Sequence, residues 1–199
     1  DFIPSVLIDG ESYNVIVSGL DALHKGIEME FGVKIIPGLI AETVVSLGDW
    51  KWDSKDIARI EDKETREVIE EREFDATGLY VGDAAQTQLR QSIRYEWREK
   101  VYLNAAVTYF GKNYSNFEPL DYLPGVNKWA FDDDGNPIQA WKMPEYFIVD
   151  LHSGYKFYLN KMKCDLRLSI LNLLDEKYIS DAQNNEDRKS TRLNSSHYS

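Results

Sequence analysis

Alternation of apolar and polar side chains over stretches of about seven to twelve residues is the feature that most restricts this chain. In residues 24–35, Ile27, Met29, Phe31, Val33 and Ile35 share one parity, and His24, Gly26, Glu28, Glu30, Gly32 and Lys34 the other. Residues 89–98 oppose Leu89, Ile93, Tyr95 and Trp97 to Arg90, Ser92, Arg94, Glu96 and Arg98. Val101, Leu103, Ala105, Val107 and Tyr109 oppose Tyr102, Asn104, Ala106 and Thr108; Cys164, Leu166, Leu168 and Ile170 oppose Asp165, Arg167 and Ser169. A period of two belongs to β-strands with one apolar face. The expected fold class is therefore all-β and antiparallel.

Two kinds of protein alternate in this way: a soluble sandwich, with its apolar faces packed together, and a membrane barrel, with its apolar face in lipid. Strand length separates them, because globular strands run about five or six residues and spanning strands about ten. Aromatic residues near the strand ends (Trp50, Trp52, Trp97, Tyr109, Phe110, Tyr155 and Phe157) are placed like the girdles of a membrane interface. Connections also alternate. Ile36-Pro37-Gly38, Arg98-Glu99-Lys100 and the stretch at Asn160-Lys161 are short, whereas residues 53–82 and 111–144 are long. Short turns on one side and long loops on the other are expected of an outer-membrane barrel. The acidic run of residues 60–73 leaves a short helix and bent strand extensions both open.

Composition excludes several classes. No window holds the roughly 20 consecutive apolar residues of a spanning helix. The net charge of -11 argues against a nucleic-acid partner, which needs clustered Lys and Arg. Cys164 is the single cysteine and reads as a small apolar filler. No Ser/His/Asp or Cys/His arrangement has supporting context, so no enzyme, catalytic residue or cofactor is expected.

The tail is foreign in character. Residues 187–197 read DRKSTRLNSSH, which resembles a translated sequencing-library adapter, and residues 187–199 are expected to be non-native and disordered. They carry three basic residues and one acid, so residues 1–186 have a net charge of -13.

Three motifs point to a family. His24-Lys25-Gly26-Ile27-Glu28 opens an alternating strand in the manner of a Gly-hydrophobe-Glu barrel motif. The stretch from Val81 through Gly82, Asp83, Ala84, Ala85 and Gln86 to Thr87 is similar to a Gly-x-Ala-Pro-x-x-Thr strand entry, with Ala85 where proline is common. Asn172-Leu173-Leu174-Asp175-Glu176-Lys177-Tyr178 closely resembles an Asn-Leu-Phe-Asp-x-x-Tyr signature. In this order and strand context the motifs resemble the C-terminal barrel portion of TonB-dependent outer-membrane receptors, over residues 1–186.

The resemblance implies a partial transmembrane antiparallel β-barrel: a curved open sheet of about seven or eight long strands from a barrel of about 22, without the plug domain. It implies location in the outer membrane of a Gram-negative bacterium, with membrane lipid, the receptor's own plug, the TonB complex and a small extracellular ligand as partners. It also implies TonB-dependent transport of a scarce nutrient, such as an iron-siderophore chelate. A passive porin-like channel and a soluble β-sandwich binding module are the alternatives.

Candidate ligand contacts lie in the second long loop, at Tyr114, Phe117, Asp121, Tyr122, Trp129 and Trp141, because loops carry recognition. Parity assigns His24, Glu28, Arg90, Arg94, Asp150, His152 and Arg167 to the barrel lumen. Arg90, Arg94, Glu96, Asp165 and Arg167 are expected to form a polar network there. The histidines could line a ligand or metal path, but ordinary lumen or rim positions are the preferred reading. Asp132-Asp133-Asp134-Gly135-Asn136 lacks the closing Glu of a calcium loop and reads as a solvated turn.

Overall fold

The structure, a computed structural model, describes residues 5–8, 11–17, 19–82, 84–116, 122–123, 130–182 and 191–194. Alternation becomes strand throughout, and no helix among the described residues is long and apolar enough to cross a membrane. The strands are β1 (Ser5–Ile8), β2 (Glu11–Ile16), β3 (Ala22–Ile36), β4 (Leu39–Trp52), β5 (Lys55–Glu61) and β6 (Val68–Asp75). They continue with β7 (Thr87–Trp97), β8 (Val101–Gly111), β9 (Tyr146–Leu159), β10 (Met162–Ile170), β11 (Tyr178–Ala182) and β12 (Thr191–Asn194).

Six strands form one antiparallel wall in the order β10-β9-β8-β7-β4-β3. This is an open sheet of six long strands, fewer than the seven or eight expected, because β1 and β2 pair elsewhere. Its register carries each parity across every pair. Ile27 faces Leu47, Ala41 faces Ile93, Ile93 faces Ala105, Ala105 faces Leu151, and Leu151 faces Ile170. One face is consequently apolar from β3 to β10, since a single residue of slippage would have mixed the two sets. It is also uncovered: Ile27 is 61% exposed, Ile93 50% and Leu166 65%.

Short turns all lie at one end of the wall. At Pro37-Gly38 the glycine adopts φ +83°, and a Cβ there would run into the Glu96 carbonyl. Arg98 and Glu99 both adopt positive φ, 51° and 58°, and Lys100 N donates to Trp97 O at 3.1 Å. Two consecutive left-handed residues match the right-handed twist of the flanking strands.

The long connections lie at the other end, and the first of them is not a plain loop. Residues 53–82 contain the β5–β6 hairpin, which joins a second sheet of order β1-β2-β5-β6. The helix left open for residues 60–73 does not form; Asp62 Oδ1 instead accepts from Glu64 N and Thr65 N, both at 2.8 Å, and reverses the chain. Opposite charges meet across the hairpin, as between Arg59 and Glu71 at 3.3 Å, and not along a helix face.

Val15, Ala58, Ile60, Phe74, Ala76 and Leu79 are buried beneath this second sheet, together with Tyr122, Leu123 and Ala130 of the second long connection. A fully buried side chain of this size contributes roughly 1.5 to 3 kcal/mol relative to an exposed one. The molecule's main apolar core is thus a cap at the long-loop end, while the wall itself leaves its apolar face open.

Thr191–Asn194 pairs with β11 as β12. A strand edge presents unpaired N–H and C=O groups, which an extended segment of almost any sequence can satisfy.

Candidate ligand-binding site

The polar face of the wall gathers the residues that parity grouped. His24 and Glu28 on β3, Arg90 and Arg94 on β7, Asp150 and His152 on β9, and Arg167 on β10 all lie on this one side. They do not form a single cluster. Near the short turns, Glu96 lies 3.8 Å from Arg94 and 4.0 Å from Lys156, and Arg167 pairs with Asp165 at 2.8 Å. His152 Nδ1 is 2.9 Å from Ser169 Oγ, and His24 stacks on Trp50 at 5.1 Å, so the two histidines are on separate strands with separate partners.

Toward the long-loop end the same face opens into a groove lined by Ser46, Gln88, Arg90, Thr108, Phe110 and Asp150. Arg90 Nη1 donates to Thr108 Oγ1 at 3.1 Å. Two aromatic stacks stand at the long-loop end, the first of them on the groove through Phe110. Phe110 lies 5.0 Å from Tyr146, which lies 4.3 Å from Tyr178. Tyr80 lies 4.3 Å from Tyr114, and Lys51 Nζ sits 5.0 Å from the Tyr80 ring. Burial, and after it the neighbouring Tyr80, pushes the Tyr114 phenol above its ordinary value of 10.0. It is therefore a neutral hydroxyl at physiological pH.

The second long connection is closed on itself at its base. Ser115 N donates to Trp141 O at 2.9 Å, Trp141 N to Ser115 Oγ at 3.1 Å, and Met143 N to Asn113 O at 2.8 Å. Lys142 and Glu145 pair at 2.8 Å, and Lys142, then Tyr109, hold the Glu145 carboxyl below its ordinary value.

Of the six loop residues expected to meet a ligand, Tyr114 and Trp141 flank this base, while Phe117, Asp121 and Trp129 lie outside the described residues. Tyr122 is 1% exposed, its hydroxyl donates to Ile138 O at 2.8 Å, and it belongs to the cap core, where it anchors the loop.

Asp132 closes a small hairpin. Its Oδ1 accepts from Asn136 N at 2.7 Å and Asp134 N at 3.1 Å, and its Oδ2 from Asn136 Nδ2 at 3.2 Å. These bonds, led by that from the Asn136 backbone, lower its pKa. Such occupied lone pairs belong to a turn. Among the described residues no three His, Cys, Asp or Glu side chains converge as metal ligands.

Each of the three sequence motifs has a local physical role. Gly26 pairs with Gly48, and a Cβ on Gly26 would press on the Leu47 carbonyl at 2.8 Å, so the strands approach closely beside the His24–Trp50 stack. Gly82 passes the backbone of Ser115 and Asn116, where a Cβ would come within 2.6 Å. Buried Gln86 replaces a rung of the sheet: its Oε1 accepts from Trp50 N at 2.9 Å and its Nε2 donates to Trp50 O at 3.0 Å.

Asn172, with φ 49°, accepts from Glu176 N at 2.9 Å, donates through Nδ2 to Glu176 O at 3.0 Å, and gives its own N–H to Asp150 Oδ1 at 3.0 Å. This turn delivers Tyr178 to Tyr146.

Sequence reading did not single out Tyr80, Tyr146 or Gln86 for these roles. Parity could have placed Tyr146 on the polar face, but the Tyr80 and Gln86 contacts arise from long-range pairing that leaves no periodic signal. In comparisons with known proteins, no family model, no curated protein and no solved structure matches the chain.

Proposed function

We propose that this chain is part of the wall and outer loops of a TonB-dependent receptor in the outer membrane of a Gram-negative bacterium. In this reading it serves active uptake of a scarce nutrient, such as an iron-siderophore chelate, without enzymatic activity. The observation that carries the reading is the apolar face shared by all six wall strands, open to its surroundings and backed by a polar face. A soluble protein rarely leaves so large a contiguous apolar surface in water. Strands of nine to fifteen residues, at about 3.3 Å per residue and tilted, suit the hydrocarbon thickness.

Aromatic side chains border that face at both ends, with Tyr109 and Phe147 near the long loops and Trp97 and Tyr155 near the short turns. In this orientation the polar groove and the Phe110–Tyr146–Tyr178 stack lie on the path from the outer loops to the lumen. A ligand would be captured by the loops and released inward when TonB acts on the plug, both supplied by the rest of the receptor.

The test is expression of the complete receptor in cells with and without TonB, with outer membranes separated from soluble protein and uptake of labelled ferric chelates measured. Recovery in outer membranes with uptake that requires TonB is the expected result. Recovery in the soluble fraction would return the sheet to a sandwich-type binding module, and uptake indifferent to TonB would make it a passive channel. Exchange of residues 111–144 for an unrelated loop is expected to abolish ligand binding while the barrel still assembles; retained binding would remove that loop from the site.

A further inference from the structure

The short-turn end of the wall differs in charge from the rest of the chain. Acids outnumber Lys and Arg by 34 to 23 overall. Yet the open groove of about 610 Å³ between the β7–β8 turn and the β9–β10 hairpin is lined by Arg98, Lys100, Lys156 and Lys163, against Glu96 and Glu99. Glu96 is already engaged by Arg94 and Lys156, which leaves the two turn cations, Arg98 and Lys100, at the exposed rim.

The same groove is also lined by Tyr155 and Phe157, stacked at 5.5 Å, whose parity puts them on the apolar face opposite Leu166 and Cys164. Arg98 holds its guanidinium 4.7 Å from the Trp97 ring, and Trp97 lies on that apolar face too. Cations at the rim and a continuous apolar surface below it suit an amphiphile with an anionic head. A free anion would use the first feature and not the second.

We infer that this groove holds the phosphate of an anionic phospholipid of the leaflet on the short-turn side, with its acyl chains lying on β9 and β10. The inference rests on the membrane-wall reading above. Arg98 and Lys100 supply the charge, Trp97 and Tyr155 set the depth, and Leu166 and Leu168 receive the chains. Aromatic rings at headgroup level and cations beside anionic headgroups are the two attractions such a lipid uses.

The test inserts the complete receptor into vesicles of equal parts phosphatidylcholine and phosphatidylglycerol. Insertion is read by heat-modifiable electrophoretic mobility, and the lipid retained after mild detergent extraction is counted by native mass spectrometry. Phosphatidylglycerol is expected to be retained in preference. The double variant Arg98→Gln, Lys100→Gln should reduce that preference by roughly fivefold or more. Lys25→Gln, on the apolar face near the long-loop end, should leave the preference unchanged. Equal retention of both lipids by inserted wild-type receptor, or equal loss in Lys25→Gln, would overturn the inference and leave the membrane reading intact. Failure of the wild type to insert would overturn both.

Discussion

Asn172 combines a left-handed backbone with three hydrogen bonds that tie the end of β10 to β9 and to the turn leading into β11. Asn tolerates φ > 0 because its short amide bonds locally. Asn172→Ala removes the side-chain bonds at a residue only 5% exposed and keeps the unfavourable φ. We expect a loss of about 1 to 3 kcal/mol, measured as a lower midpoint of denaturant unfolding. Asp132 gives a pH-dependent case. Its folded pKa lies below the ordinary 3.8, so its contribution to the hairpin is complete above that value. It is lost as pH falls through the lowered folded value. Protection of the Asp134 and Asn136 amides, taken relative to the intrinsic exchange rate at each pH, should therefore fall only in that acidic range, and loss of protection near neutral pH would contradict the assignment. Both residues were visible in the sequence, Asn172 within a motif and Asp132 within a turn. Their bonding partners were not, because hydrogen bonds to Asp150 or from Asn136 depend on backbone geometry that spacing alone does not define.

At the scale of elements, alternation marked β3, β7, β8 and β10 of the wall, while β4 and β9 were not singled out. The turns at Gly38, Arg98-Glu99 and Asn160 sit where the pattern breaks. The β5–β6 hairpin was harder to read, since glutamates occupy both parities of β6 and the register shifts between Ile60 and Glu61. Its strand character comes from burial of Ile60 and Phe74 against residues of another connection, a contact no local window contains. Two predictions belong here. Leu168 lies on the apolar face and Ser169 on the polar one, opposite His152. If the apolar face meets lipid as proposed, an Arg there near mid-membrane costs about 2 to 4 kcal/mol, so Leu168→Arg should impair assembly into outer membranes more than Ser169→Arg; equal yields would refute the face assignment. Phe74→Ala, at a fully buried site, should cost about 3 to 5 kcal/mol locally. Limited proteolysis is expected to cut the cap faster while the wall strands stay protected.

For the whole molecule, both outer strands of the wall, β3 and β10, end the sheet without a further partner among the described strands. Lipid offers backbone groups no hydrogen bonds, so an open edge is unfavourable in a membrane. On the proposed reading the chain alone is therefore expected to aggregate or remain outside the membrane, and the complete receptor to insert, with heat-modifiable mobility in vesicles as the measure. Stable insertion of the chain alone would contradict the open-edge argument. Alternation by itself determined the all-β class, the two faces of the wall and the side on which its turns lie, because the strand period of two is a local property of the backbone. Only the tertiary structure decided that the long connections pack into a cap with its own core, that Tyr122 is an anchor inside it, and that Gln86 completes the sheet. Those outcomes depend on residues far apart in the chain meeting, and on the burial and hydrogen bonding that such meetings allow.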